Sequence, residues 1–106
     1  MIEHATVADL KESLDGDRAV VIDVREFHEY QAGHVPGAIH IPMHTIPVRT
    51  SEIPRTGEVY VICESGARSW QVAAFLHQQG IAVVNVQGGT GTWRMAGFPL
   101  QAGAAA

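Results

Sequence analysis

The sequence predicts a single α/β domain built on a mainly parallel sheet, and three observations predict it. The chain has 106 residues, the length of one ordinary domain. Short β-branched runs alternate with helix-compatible stretches, which is the order of strand–helix–strand units. The best runs, Val20-Val21-Ile22 and Val59-Tyr60-Val61-Ile62, carry no charge, as expected of strands covered on both faces.

Taken in order, Glu3 to Thr6 suits an edge strand. Thr6 or Asp9 opens a helix that runs to about Leu14 and stops at Asp15-Gly16-Asp17. Val20 to Ile22 follows as a central strand. Glu26 to Ala32 reads as a short helix with acidic residues in its first turn and Gly33 just past its end. Ala38 to Ile41, bracketed by Pro36-Gly37 and Pro42, is a short strand, and Val59 to Ile62 a longer one. Ser69 is placed to cap a helix from Trp70 to Gln79, closed by Gly80. Val72, Phe75 and Leu76 share one face of that helix and dock it on the sheet. Val83 to Val86 is the last strand. The domain spans residues 1–100, and the tail 101–106 has little to bury and is expected to fray.

Composition narrows the function. Hydrophobic residues make up 46% of the chain and charged ones 17%, which excludes a disordered chain. The net charge is −4, Lys11 is the lone lysine, and no basic cluster exists, so nucleic acid and anionic membrane surfaces are poor partners. No apolar run approaches the ~20 residues that span a bilayer. Met1-Ile2-Glu3-His4 lacks the basic and apolar regions of a secretory signal. The single cysteine, Cys63, excludes an internal disulfide and a four-cysteine metal site, and points to the cytoplasm. Six histidines invite a metal reading, but Pro42 separates His40 from His44, and His4, His28, His34 and His77 are scattered. Surface or loop histidines, and no metal, are expected.

The chemistry concentrates in Val59 to Ser69. A buried strand ends at Cys63, a short loop with Gly66 follows, and a helix begins near Ser69. Ligands in open α/β sheets bind beyond the carboxyl ends of the strands. A thiol placed there meets a helix N-terminus, whose spare N–H groups favour negative charge, and a loop curled around it makes an anion nest. Arg68 adds a fixed positive charge. These effects together predict a thiolate, with a pKa lowered from about 8.5 into the ~3.5–7.5 range of activated cysteines. A lone cysteine is often just a small buried hydrophobe, but here strand, glycine loop, arginine and helix surround it.

Cys63-Glu64-Ser65-Gly66-Ala67-Arg68-Ser69 resembles the active-site loop of the rhodanese homology domain. Ile22-Asp23-Val24-Arg25-Glu26, Tyr30 and Gly33-His34-Val35-Pro36-Gly37-Ala38 resemble that family's upstream signature. Gly88-Gly89, Trp93 and Gly97-Phe98-Pro99 resemble its closing one. The resemblance implies a single rhodanese-like domain, with a mostly parallel sheet of about five strands and helices on both faces. It implies sulfurtransferase chemistry through a persulfide on Cys63, from a donor such as thiosulfate, a persulfide or polysulfide to a thiophilic acceptor, cyanide or a thiol. The loop Glu64, Ser65, Gly66, Ala67, Arg68 and Ser69 would cradle the outer sulfur, with Arg68 holding the donor's anionic end. No cofactor or metal is needed. A domain of this shape could instead pass sulfur between proteins, or bind a partner, without turnover.

Other positions qualify that picture. Asp23 and Arg25 follow a buried strand and are expected to form a polar network supporting the loops, and Trp93 to pack. Glu64 is an acid beside the nucleophile and Arg68 the loop's own cation, so thiosulfate is expected to bind weakly. Cysteine phosphatases and arsenate reductases of similar architecture have five residues between Cys and Arg. Only Glu64, Ser65, Gly66 and Ala67 intervene here, a cradle better sized for one sulfur than for a phosphoryl group.

Overall fold

The computed structural model describes residues 2–104. Five strands form one all-parallel sheet in the order β1-β5-β4-β2-β3: β1 (Glu3–Ala5), β2 (Ala19–Asp23), β3 (Ile39–His40), β4 (Glu58–Ile62) and β5 (Val84–Val86). Every strand run expected from the sequence is present, with β3 shorter than its apolar run. Beyond β3 the pairing continues as single contacts, Ile41 N–H to Asp23 O at 3.0 Å and Met43 N–H to Val24 O at 2.9 Å. Among the described residues no helix is long and apolar enough to cross a membrane.

Alternation along the strands feeds two cores. Val59, Val61 and Cys63 point to one side, where they meet Val72, Ala73 and Leu76 of α3 (Ala67–Gln78). Tyr60 and Ile62 point to the other, where Leu10 of α1 (Val7–Asp15), Tyr30 of α2 (Phe27–Ala32) and Trp93 of α4 (Gly89–Met95) cover them. The strand order reverses between β2 and β4, and the helices that follow these strands leave to opposite faces. The crevice this opens at the sheet's carboxyl edge holds Cys63.

The caps explain the helices the sequence predicts. Thr6 starts α1 through a capping box: its hydroxyl accepts from Asp9 N–H at 3.1 Å and the Asp9 carboxylate accepts from Thr6 N–H at 3.0 Å. Glu26 and Glu29 start α2 in a related way. The helix after Cys63 differs from expectation. It begins at Ala67, with Gly66 at the N-cap and no side-chain cap, and Ser69 lies inside its first turn. Its free amides face the sulfur of Cys63 in place of a capping oxygen, and the Ser69 hydroxyl is turned the same way.

Three further features depart from the sequence reading. Two 3₁₀ helices, Met43–Val48 and Thr50–Glu52, carry the chain from β3 to β4. Helix α4 occupies a glycine-rich stretch to which the sequence assigned no element. The fraying expected of residues 101–106 does not begin at Gln101, which pairs with His34 in an antiparallel bridge, and Gly103 N–H reaches Gln31 O at 2.9 Å. Ala105 and Ala106 lie outside the described residues. The histidines also divide: His34 is fully buried, stacked on Tyr30 at 3.7 Å between ring centroids, and His40 sits half-buried in β3. Trp93 packs as expected, 1% exposed, with its indole N–H on Pro99 O at 2.7 Å.

Candidate active site

Cys63 follows β4 directly, and its side chain is fully buried. Gly66 lets the chain turn from strand to helix within three residues because it adopts φ +104°, open to glycine and strained for other residues. That turn brings Gly66 N–H to 3.1 Å from Cys63 Sγ, and the first turn of α3 brings the Ser69 hydroxyl to 3.3 Å. Burial is the largest single influence on the thiol and pushes its pKa up. The Ser69 hydroxyl and the amides of Ser69, Gly66 and Ser65 together outweigh it and hold the Cys63 pKa below the ordinary thiol value.

Helix α4 fixes the other side of the loop. Thr90 N–H donates to Cys63 O at 2.8 Å and Gly91 N–H donates to Glu64 O at 2.9 Å. The Thr90 hydroxyl adds a second bond to Cys63 O at 3.1 Å. So close an approach needs glycine, since a Cβ on Gly89 would lie 2.4 Å from Cys63 O. Gly88-Gly89 thus works as a backbone docking surface for the cysteine loop.

Charged side chains ring the loop in pairs. Arg25, 1% exposed, binds Asp23 through Nε and Nη2 at 3.0 and 2.8 Å, Gly33 O at 2.8 Å and Glu64 at 3.1 Å. Burial works against its charge, but Asp23, Glu64 and Glu29 overcome that and raise its pKa further. Arg94 of α4 binds the second oxygen of Glu64 at 3.0 Å. Glu64, which the sequence presents as an uncompensated acid, is therefore held between two arginines. Arg68 is held too: both of its Nη atoms lie 2.8 Å from the Glu29 carboxylate of α2. This fork holds Glu29 at a pKa of about 2 and raises that of Arg68.

The structure gathers Cys63, Gly66 and Ser69 at the sulfur and sets Glu64 and Arg68 into ion pairs at the rim. Ser65 and Ala67 are exposed on the loop's outer side. Asp23 pairs with Arg25, and Arg25 reaches Glu64 of the loop. Sequence reasoning missed Glu29, Thr90 and Arg94, which reach the loop from elements 27–39 residues away. It also passed over Asn85, whose polar side chain in an otherwise apolar strand was a visible signal; Asn85 Oδ1 lies 2.6 Å from Ser69 Oγ. Shallow depressions flank the loop, one lined by Ser65, Gly88, Thr92, Arg94 and Met95, the other by Val24, Met43, His44 and Arg68.

Comparison with known proteins agrees with this arrangement. A sulfurtransferase of Allochromatium vinosum is 43% identical over 89 residues, covering 83% of each chain. The thiosulfate sulfurtransferase GlpE of Pseudomonas entomophila is 34% identical over 83 residues, 77% of this chain and 76% of its own. The crystal structure of a rhodanese-related protein from Thermoplasma volcanium superposes with a TM-score of 0.87 at 32% identity, covering 93% of this chain and 97% of that one. The rhodanese-like domain family model matches residues 6–96, from the cap of α1 through α4. With its parallel sheet, its cysteine loop at the switch point and its closing glycines, the chain belongs to the rhodanese-like domain family.

Proposed function

We propose that the chain is a sulfurtransferase that carries a sulfane sulfur as a persulfide on Cys63. The observation that carries this reading is the buried Cys63 sulfur, met by the Gly66 amide and the Ser69 hydroxyl at the start of α3. The names of its relatives, a sulfurtransferase and a thiosulfate sulfurtransferase, support it.

With thiosulfate, the Cys63 thiolate attacks the outer sulfur, the S–S bond of the donor breaks, and sulfite leaves with the bonding electrons. Cyanide or a thiolate then attacks the terminal sulfur of the persulfide. Thiocyanate or a new persulfide departs, and the Cys63 thiolate is restored. This is ping-pong covalent catalysis. The loop amides stabilise the charged terminal sulfur as they do the thiolate, with no metal, organic cofactor or histidine base. Asp23 and Arg25 serve as support for the loop. Around the site Arg25, Arg68 and Arg94 face Asp23, Glu29 and Glu64. That balance removes the repulsion expected from Glu64 alone and admits thiosulfate as well as polysulfide. Arg68 would meet an anionic donor with the N–H groups that its fork to Glu29 leaves free. A cytoplasmic setting suits a lone reduced thiol.

A second reading has one observation in its favour. Met95 is 89% exposed beside Ser65 and Arg94, which gives a protein partner an apolar foothold next to the loop. The chain would then relay sulfur to that partner without turnover on small molecules. Intact mass after incubation with thiosulfate, and separately with polysulfide, tests both. One added sulfur on the native chain, absent from Cys63→Ser and removed by cyanide, is the expected result. No addition from either donor, with the thiol still alkylatable, overturns the enzyme reading in favour of the relay.

A further inference from the structure

Asn85 is 3% exposed and sits between two side chains that connect the buried sulfur to solvent. On one side its Oδ1 lies 2.6 Å from Ser69 Oγ, and on the other its Nδ2 lies 3.2 Å from Nδ1 of the exposed His4. Parallel pairing sets this up: His4 of β1 is in register with Asn85 of β5, and Ile2, two residues before His4, packs in the α3-side core. The result is a file of four groups, His4, Asn85, Ser69 and Cys63.

The file has a direction. A serine hydroxyl carries one proton, so Ser69 donates to Asn85 Oδ1 or to Cys63 Sγ, not to both at full strength. With Oδ1 turned inward, the nearer amide oxygen at 2.6 Å takes the larger share of that proton and leaves the sulfur, at 3.3 Å, the smaller one. A thiolate needs the reverse. Asn85 must turn its amide over, so that Nδ2 donates to Ser69 Oγ and the Ser69 proton faces the sulfur. Its Oδ1 then faces His4, and Nδ1 must carry a proton to meet it. When Nδ1 is bare, it accepts from Nδ2 and restores the first arrangement.

We infer that Asn85 is a positioning residue for the Cys63 thiolate, and that His4, at the solvent end of the file, selects which way the Asn85 amide points. The inference rests on the reading of Cys63 as the nucleophile. On ionisation the thiol proton passes to water and no bond but S–H breaks. The charged groups around the cysteine loop are Arg68 with Glu29 and Glu64 with Arg25 and Arg94; β1 carries Glu3 beside His4, and α3 carries His77. All of them are kept in the variants below.

Because His4 is exposed, it can be exchanged for a side chain that only donates, His4→Lys, or only accepts, His4→Glu. The pH dependence of Cys63 alkylation by iodoacetamide reads the thiolate directly and needs no sulfur transfer, so failure here and failure of the persulfide reading are distinguishable. The expected result is about tenfold more thiolate in His4→Lys than in His4→Glu below the midpoint, one pH unit between the two profiles. The difference should persist in 1 M salt, where charges more than about 3 Å apart are screened. It should vanish when either substitution is combined with Ser69→Ala or with Asn85→Leu. Coincident profiles for the two His4 variants overturn the inference. So does a difference that survives Ser69→Ala, because it then travels through the field and not through the hydroxyl. If Asn85→Leu does not fold, the Ser69→Ala pair decides.

Discussion

Helices α3 and α4 start in the same way and are put to different use. Each has a left-handed glycine at its N-cap, Gly66 at φ +104° and Gly88 at φ +79°, and neither has a side-chain cap. At α3 the spare donors converge on one side-chain atom, the sulfur of Cys63. At α4 they bind the main-chain carbonyls of Cys63 and Glu64, at 2.8 and 2.9 Å. Unpaired amides at a helix start accept any good acceptor. One helix start here lowers the pKa of the cysteine, and the other sets the position of the loop that holds it.

Substitutions at the two starts should separate these uses, and the largest effect is expected at α4. Gly89→Ala forces a Cβ against Cys63 O at a φ of +58° and should lower the unfolding free energy by about 2–4 kcal/mol, read by urea denaturation. Gly66→Ala meets only ordinary contacts, the nearest at 3.4 Å, so backbone strain dominates and the loss should be about 1–3 kcal/mol. Its distinctive mark is a higher pH midpoint for Cys63 alkylation, since the turn that aims the Gly66 amide relaxes. If Gly66→Ala leaves that midpoint in place while Gly89→Ala moves it, the division of labour between the helices is wrong.

Smaller effects sharpen the role of the rim. Glu64→Ala frees Arg25 and Arg94 from one carboxylate and should lower the KM for thiosulfate about threefold, the size expected of a part-exposed charge. Adding Arg94→Ala should return most of that gain; if it does not, Arg94 contributes nothing to the local field. Glu29→Gln should be the mildest. The Glu29 carboxyl titrates at about 2 when folded, against 4.5 for an unperturbed glutamate. A depressed folded value means the pair stabilises the native state above about pH 4.5 and is lost as pH falls toward 2. The stability difference between the native chain and Glu29→Gln should therefore be flat at neutral pH and close within that acid window. Closure at higher pH would show that the Arg68 fork does not hold the carboxyl down.

Much of this was legible from local signals. The uncharged runs of β2 and β4 could only be interior strands, and Thr6, Gly33 and Gly80 mark helix ends by their own chemistry. The position of Cys63 followed from the strand before it and the glycine after it. What escaped is tertiary. Helix α4 begins Gly-Thr-Gly-Thr, a poor helix former by propensity, and holds because its first amides find the carbonyls of a loop 27 residues away. Ser69 looks like a cap because serine usually is one, yet its hydroxyl serves the sulfur and Asn85. The Glu29–Arg68 fork and the Arg25–Glu64 pair each span 39 residues, and no spacing rule reaches that far. The surroundings of Glu64 were hidden in the same way: its charge was visible, but its partners Arg25 and Arg94 were not.

If Cys63 carries the proposed persulfide, its complete burial bears on which sulfur an acceptor attacks. A persulfide offers two electrophilic atoms. Attack on the outer one transfers it and restores the enzyme, while attack on the inner one expels hydrosulfide and leaves a mixed disulfide on the protein. The inner sulfur is the buried one, with the backbone of the loop packed around it. An incoming nucleophile would therefore meet the terminal atom first, and the fold would set the regiochemistry by shielding, without a residue assigned to the choice.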